Sequence, residues 1–195
     1  MHTFICFEGI NYAGKTSVAK MVGAQMGVLY GPRISIRHVK EEAEIHKNPD
    51  HLERFAFFVE EIAARSEEVR QILVRKHVIL DRYLLSVFAY HNVLVGRRFE
   101  EETDFSKIER PDLTLLLTVD ESMLRNRMTM CPPRHQYESD PMFLLRVQKE
   151  FLRLADKGMS IVIDTSVLTA EETTRIVTEE LGKRRLITPP SSPKE

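Results

Sequence analysis

Apolar residues form short runs of strand length that alternate with longer amphipathic segments along the chain. Two of the runs, HVIL and LTLLLTV, are almost wholly apolar, as in strands that are covered on both faces. The short runs predict strands over residues 3–7, 28–30, 77–80, 113–119 and 160–163. The amphipathic segments predict helices over residues 14–26, 50–74, 84–94, 121–129, 141–157 and 169–181.

This alternation of strands and helices predicts an α/β fold with three layers, a central parallel sheet flanked by helices. Ligands of such a sheet bind at the carboxyl ends of its strands. With 195 residues the chain has the length of one domain. We place that domain at residues 1–182 and predict a mobile tail over 183–195, where Pro, Ser and charged residues are concentrated.

Charge and composition remove several classes of function. A formal net charge of −1 argues against a protein that coats nucleic acid. No apolar run approaches the roughly 18 residues that a membrane-spanning helix needs. The start of the chain lacks a basic leader, and Cys6 and Cys131 show no paired spacing. We therefore expect a cytoplasmic protein without nucleic-acid or membrane partners.

The segment GINYAGKT, residues 9–16, fits the phosphate-binding pattern G-x-x-x-x-G-K-[ST]. It follows a predicted strand and opens a predicted helix, so its backbone N–H groups and the helix N-terminus can face a phosphate. Lys15 can reach the β- and γ-phosphates, and the Thr16 hydroxyl can ligate Mg²⁺. The pattern does not say which class of nucleotide protein carries it.

Missing motifs narrow the choice. The guanine-binding N-K-x-D sequence of switch GTPases does not occur in the chain. Thr16 and Ser17 follow the lysine, where adenylate-kinase-like loops usually have glycine. The chain is also short for a motor or transporter ATPase. These observations favour a small kinase that phosphorylates a small molecule.

A second group of polar residues follows the predicted strand at 77–80. Asp81 and Arg82 lie at its carboxyl end, beside the phosphate loop that follows the first strand. Asp81 can organise Mg²⁺ or accept a proton from the acceptor. Arg82 can hold an acceptor phosphate with two parallel hydrogen bonds. The spacing thus predicts a donor site and an acceptor site on neighbouring strands.

Four segments in this order, FEGINYAGKTS, DRYLLSVFAY, RPDLTLLLTVDESMLRNR and IVIDTS, resemble the thymidylate kinase family over about residues 3 to 181. The resemblance implies a P-loop fold and transfer of the ATP γ-phosphate to the 5′-phosphate of a pyrimidine deoxynucleotide, foremost dTMP. It also implies Mg²⁺ and a homodimer. For the ATP phosphates it indicates Gly9, Asn11, Tyr12, Ala13, Gly14, Lys15, Thr16 and Ser17.

The resemblance also implies roles for residues outside the loop. Asp81 matches the catalytic acid, Arg82 and Arg33 match arginines that hold the acceptor phosphate, and Tyr90 and Tyr137 match aromatic residues at the sugar. Members of the family place a catalytic arginine in the phosphate loop or in a lid. Position 12 is Tyr, so we expect the lid type, with a lid at about 129–140. Arg127 and Arg134 are the first candidates and Arg125 is the second.

Three departures from the family pattern concern the acceptor. Asn11 stands where Asp is usual, and Val87 replaces a residue that is usually small. Phe57 matches the aromatic residue that stacks on the base, but an ungapped match puts Glu61 at the arginine that reads a base carbonyl. Arg65 fits that role only with a gap of one helical turn. A carboxylate facing the base would suit an amino group, whereas an arginine would suit thymine.

The sequence therefore leaves several functions open. Phosphorylation of dTMP is the first hypothesis. A kinase of another nucleotide, such as a cytosine nucleotide, and a deoxynucleoside kinase are alternatives. A regulatory protein that binds nucleotides without turnover is the non-enzymatic alternative.

Overall fold

A five-stranded parallel sheet forms the centre of the part of the chain that the computed structural model describes, residues 2–31, 39–131, 133, 139–155 and 158–187. Its order is β2-β3-β1-β4-β5, and every neighbouring pair is parallel. The predicted α/β fold is confirmed. The strands are β1 Phe4–Glu8, β2 Leu29–Gly31, β3 Val78–Asp81, β4 Leu113–Thr118 and β5 Ser160–Asp164.

Helices cover the sheet and connect its strands. All six predicted helices are present, with ends that shift by a few residues. A seventh, α2, and a 3-10 turn at Phe99–Glu101 were not predicted. The segment VKEEAEI of α2 is short and charged, so it has no apolar stripe to reveal it. The helices in the described residues are α1 Lys15–Met26, α2 Val39–Ile45, α3 His51–Leu73, α4 Leu84–Val95, α5 Glu121–Met130, α6 Pro141–Leu154 and α7 Ala170–Lys183.

Alternate residues of the central strands face two different helical layers. Ile5 and Phe7 of β1 pack in the cluster that contains Val18 of α1. Phe4 and Cys6 pack in the cluster that contains Phe58 of α3. Because β1 is covered on both sides, all five of its residues are buried. The candidate site lies at the carboxyl ends of these strands.

Local signals fix where the helices start. Asp50 accepts hydrogen bonds from the Leu52 and Glu53 N–H groups and caps α3. Thr169 and Glu172 form a capping box at the start of α7. Helix α1 instead begins directly after Gly14, without a side-chain cap. The first N–H groups of α1 therefore donate to no capping side chain among the described residues.

The packed domain extends beyond the end that we predicted. Helix α7 runs to Lys183, and the Thr3 hydroxyl donates to the Leu186 carbonyl over 2.8 Å. Ile187 is only 3% exposed. The predicted tail is therefore wrong for residues 183–187, because Leu186 and Ile187 close the core beneath β1. Residues 188–195 lie outside the described residues.

Among the helices that the structure describes, none combines the length and the apolar character needed to cross a bilayer.

Candidate active site

The phosphate loop joins the carboxyl end of β1 to α1, and two of its glycines are required for different reasons. Gly9 has φ 133°, and a Cβ atom on it would lie 2.2 Å from the Leu117 carbonyl oxygen of β4. Gly14 has φ 89°, but a Cβ atom there would meet nothing within 4 Å. Packing against the sheet excludes a side chain at Gly9, whereas only backbone conformation favours glycine at Gly14.

Tyr12 adopts the left-handed conformation although it is not glycine, with φ 69°. Two side chains from distant parts of the chain hold the backbone there. Arg127 donates from Nη1 to the Tyr12 carbonyl over 2.9 Å, and the Thr165 hydroxyl, which lies 3.0 Å from the Thr118 carbonyl, is also 3.2 Å from the Ala13 carbonyl. The loop is thus fixed in a conformation that a non-glycine residue rarely adopts.

Lys15 and Thr16 begin α1 at the end of the loop. The Lys15 side chain is buried, and its Nζ donates to the Ile10 carbonyl over 2.6 Å, so the ammonium lies inside the loop. The Thr16 hydroxyl donates to the Asp81 carboxylate, which follows directly from the pairing of β1 with β3 at Phe7 and Asp81. Ser17 is exposed on the same helical turn.

Asp81 presents a second carboxylate oxygen to the site. Within the described part of the chain, its buried Oδ1 has no hydrogen-bond partner. A buried carboxylate oxygen beside a hydroxyl forms the hard oxygen ligand pair that Mg²⁺ prefers. Thr16 and Asp81 therefore have the chemistry to hold a divalent cation.

Tyr30 is a neighbour of Asp81 that sequence analysis missed. It lies in the edge strand β2, and its hydroxyl is 3.4 Å from the Asp81 Oδ2 atom. Burial, followed by the charge of Asp81, raises the pKa of Tyr30 to about 12. The phenol therefore stays protonated and can donate to the carboxylate. Its position at the carboxyl edge of the sheet is the signal that could have identified it.

Arg82 lies in the turn after β3 and binds back onto the phosphate loop. Its φ is 74°, and its Nη1 donates to the Gly9 carbonyl over 3.0 Å. Its Nη2 donates to the Asn11 side-chain oxygen, which also accepts from the Tyr90 hydroxyl over 2.7 Å. Asn11, Arg82 and Tyr90, all predicted for the acceptor, are thus brought together at the border between the two loops.

Glu8, at the end of β1, is a second residue that sequence analysis missed. Its carboxylate is 1% exposed and accepts hydrogen bonds from the Tyr83 N–H over 2.9 Å and the Ser86 N–H over 3.3 Å. The Ser86 hydroxyl donates to it as well. Burial raises the pKa of Glu8, while the Ser86 hydrogen bond and the charge of Arg82 oppose the rise. Glu8 therefore caps the start of α4 and fixes the turn that contains Arg82.

The three candidates for the base lie on α3 and have different surroundings. Phe57 is half-buried and lies edge to face with Phe58, with ring centroids 5.3 Å apart. Glu61 is 0% exposed and so is not a surface carboxylate. A Cβ atom on Gly31 would lie only 2.1 Å from the Arg65 Nη2 atom. The guanidinium of Arg65 thus lies over the end of β2.

That position brings Arg65 close to the acceptor side. Gly31 pairs with Leu80, the residue before Asp81, and neighbouring strands are about 4.8 Å apart. One Nη atom of Arg65 binds Glu68 over 2.6 Å, while its buried Nε has no hydrogen-bond partner within the described residues. The structure therefore brings the Arg65 guanidinium next to the end of β2, while the buried Glu61 lies close enough to Tyr83 for its charge to add to the rise that burial causes in the pKa of that residue.

The three candidates for the catalytic arginine have different surroundings. Arg127 directs its guanidinium to the phosphate loop and to Thr165, and burial lowers its pKa while Asp120 and Asp164 oppose the shift. Arg125 is exposed and binds Glu121 over 2.7 Å on its own helix. Arg134, together with the predicted acceptor residues Arg33 and Tyr137, lies outside the described residues.

A phosphate loop on β1 and a carboxylate on the neighbouring strand, at the carboxyl edge of a parallel sheet, define a P-loop nucleotide kinase. The model of the family described as thymidylate kinase matches residues 7–176. The chain belongs to the thymidylate kinase family.

Curated relatives agree with this assignment, and a solved structure shares the fold. A probable thymidylate kinase of Methanocaldococcus jannaschii is 30% identical over 87% of this chain and 90% of its own length. One of Sulfurisphaera tokodaii is 31% identical over 91% and 95%. The structure of thymidylate kinase from Candida albicans superimposes with a TM-score of 0.77 at 19% identity and covers 95% of this chain and 93% of that one. Proteins of this family bind small nucleotide substrates and use a nucleotide as phosphate donor.

Proposed function

We propose that this protein transfers the γ-phosphate of ATP to the 5′-phosphate of dTMP with the help of Mg²⁺. The observation that carries the proposal is the contact between Thr16 and Asp81, which joins the phosphate loop to the strand that presents Arg82. Donor and acceptor phosphates would then meet between two loops that the sheet holds side by side.

The donor side supplies positive charge and backbone donors. The loop N–H groups, the start of α1 and the Lys15 ammonium would surround the β- and γ-phosphates. In phosphoryl transfer the protein contributes mainly positioning and charge stabilisation. Thr16 and Asp81 would hold Mg²⁺, which when bound neutralises charge on the phosphates. The burial of Lys15 strengthens its attraction to an anion because less water screens it.

The acceptor side would use Arg82 for the monophosphate and Tyr90 for the sugar. Burial opposes the charge of Arg82, but Tyr90, Asp81 and Glu8 outweigh it and raise the pKa of the guanidinium. Arg82 therefore stays cationic and can bind a phosphate dianion. Asn11 contacts both Arg82 and Tyr90, so its side chain sets their positions without adding a negative charge.

Thymine is the base that the geometry of α3 supports. Arg65 carries only donors, and these match the carbonyl oxygens of thymine but not the amino group of cytosine. Its guanidinium lies over Gly31 at the acceptor side of the sheet. The position of Arg65 supports its assignment to the base-reading role with a gap of one helical turn. The homodimer and the cytoplasmic location stay predictions from the sequence.

A coupled assay of ATP consumption across dTMP, dCMP, dAMP and thymidine tests the reaction. We expect turnover with dTMP and at least tenfold lower kcat/KM with the other acceptors. Turnover with thymidine alone would contradict the proposal and identify a deoxynucleoside kinase. Tight ATP binding without turnover on any acceptor would indicate a regulatory protein.

The substitution Arg65→Gln tests the base assignment. Losing charge-assisted hydrogen bonds to a base carbonyl should lower kcat/KM for dTMP about 10- to 100-fold. The matched control is Glu68→Gln, which removes the ion-pair partner of Arg65 and keeps the arginine. An Arg65→Gln enzyme with unchanged discrimination between dTMP and dCMP would contradict the assignment of Arg65 to the base.

A further inference from the structure

Arg127 connects three parts of the fold that are far apart in the sequence. It extends from α5 and donates to the Tyr12 carbonyl over 2.9 Å, to the Thr165 hydroxyl over 3.0 Å and to the Thr165 carbonyl over 2.7 Å. Each terminal nitrogen of its guanidinium thus contacts protein oxygens of the phosphate loop or of the turn after β5. A guanidinium directed in this way braces the loop.

Thr165 completes the connection. Its hydroxyl is within hydrogen-bond distance of the Ala13 carbonyl at 3.2 Å and of the Thr118 carbonyl of β4 at 3.0 Å, in addition to Arg127. The hydroxyl is buried, and its backbone N–H donates to the Thr118 carbonyl over 2.9 Å. Because Thr165 is fixed to the sheet, it gives Arg127 a rigid support from which to hold the loop.

Arg127 and Thr165 contact the part of the phosphate loop whose backbone is strained. Tyr12 has φ 69°, a conformation that costs a residue with a Cβ atom roughly a factor of ten in population. Ala13 follows it and is completely buried. The two carbonyls bound by Arg127 and Thr165 belong to Tyr12 and Ala13. These bonds favour the left-handed conformation over the alternatives that Tyr12 would otherwise adopt.

We infer that Arg127 and Thr165 are positioning residues, which hold the phosphate loop in the shape that accepts a nucleoside triphosphate. This inference rests on the proposed function only in taking the loop as the donor site. It replaces the direct contact with the transferring phosphoryl group that the sequence predicted for Arg127. Since Arg127 lies one turn before the end of α5, docking of that helix and binding of the triphosphate support each other.

A double-mutant cycle measured by titration calorimetry of ATP in the presence of Mg²⁺ tests the inference. Arg127→Met should weaken ATP binding about tenfold, because Tyr12 then leaves the left-handed conformation. In the Tyr12→Gly background, glycine adopts this conformation without penalty, so the same substitution should cost less than about threefold. The Tyr12→Ala background is the control, since it removes the ring but keeps the penalty, and there the full loss should return.

A direct role of Arg127 at the nucleotide predicts a different result. Its loss would then be equally large in the Tyr12→Gly and Tyr12→Ala backgrounds, and this outcome would overturn the inference. Thr165→Val should weaken ATP binding in the same direction, whereas Thr165→Ser keeps the hydroxyl and should restore the wild-type affinity. Because the readout is ATP binding, failure to phosphorylate dTMP would contradict the proposed function and leave this test intact.

Discussion

The phosphate loop and the turn after β3 lie side by side at the carboxyl edge of the sheet, and both contain a strained residue. Tyr12 has φ 69° and Arg82 has φ 74°, and the one other non-glycine residue with positive φ in the described part of the chain, Arg185, lies outside the site. The two loops are held by opposite charges. In the phosphate loop, the cation Arg127 binds the Tyr12 carbonyl. In the turn after β3, the buried carboxylate of Glu8 binds the Tyr83 N–H.

The two substrates therefore meet loops that differ in their sensitivity to pH. An arginine keeps its charge at all physiological pH values, so the contact by which Arg127 holds the phosphate loop should not depend on pH. Burial raises the pKa of Glu8 and lowers the pKa of His91, a buried residue on the same helix as Tyr90. A change in pH should therefore affect the loop on the acceptor side before it affects the phosphate loop.

Asp81→Asn breaks the contact between the two sides and should have the largest effect. It keeps the shape of the side chain but removes the negative charge, which accepts a hydrogen bond from Thr16 and would bind a metal ion. We expect kcat to fall by about 10²–10³, the size found when one charge-stabilising group is lost. Steady-state kinetics with both substrates saturating measure it.

Tyr30→Phe is the matched control, because it removes the other donor to Asp81 and keeps the carboxylate. It should change kcat less than about threefold, since one weak hydrogen bond is lost. A loss in Asp81→Asn no greater than in Tyr30→Phe would show that the charge of Asp81 has no catalytic part.

Glu8→Gln should weaken the acceptor side and leave the donor side nearly unchanged. The amide fills the same space but cannot accept all the hydrogen bonds from Tyr83 and Ser86 that the carboxylate accepts. With the turn of Arg82 loosened, we expect kcat/KM for dTMP to fall about tenfold, the worth of one charge-assisted hydrogen bond. KM for ATP should stay within about twofold of the wild-type value. Equal losses for both substrates would contradict a role confined to the acceptor side.

His91→Phe should have the smallest effect on catalysis and a visible effect on stability. Burial lowers the pKa of His91 to about 4, and the nearby charges of Arg54, His51 and His46 also lower it, against the hydrogen bond to the Val87 carbonyl. The unfolded chain then binds a proton below about pH 6.5 that the folded chain does not bind until about pH 4. Stability is therefore lost as the pH falls through this window, by up to about 3 kcal/mol from this group.

Urea unfolding at pH 7 and pH 4.5 measures this prediction. The difference between the two pH values should shrink in His91→Phe, which keeps a ring for contact with Phe55 and Phe58. Glu8→Gln should enlarge the difference. The raised pKa of Glu8 adds stability at low pH, and that contribution is lost as the pH rises through the folded value. An unchanged difference in His91→Phe would contradict the neutral state of the buried imidazole.

The candidate residues that lie together in the structure are those whose positions follow from a neighbouring strand. Lys15 and Thr16 begin α1 after the loop that leaves β1, and Asp81 ends β3, so the parallel pairing of the two strands brings them together. Arg82, Asn11 and Tyr90 were expected on the acceptor side, and the structure places all three in contact.

Other parts depend on contacts that no local pattern encodes. Arg127 meets Tyr12 across 115 positions of sequence, and Glu8 in its apolar strand gives no sign that it caps α4. The proposed choice of Arg65 over Glu61 rests on the position of the Arg65 guanidinium over Gly31, which the sequence does not show. Helix α2 has too few apolar positions for a helical repeat of apolar residues to be visible in the sequence.

The packing of Leu186 against Thr3 has a consequence for rearranging the chain. The first strand and the segment after α7 meet at the amino ends of the strands, whereas the phosphate loop lies at the opposite edge. A short linker could therefore join Ile187 to the start of β1, and new termini could be opened in an exposed turn elsewhere. Such a circular permutant would keep its nucleotide-binding edge, while a chain shortened after Gly182 would lose the buried Ile187.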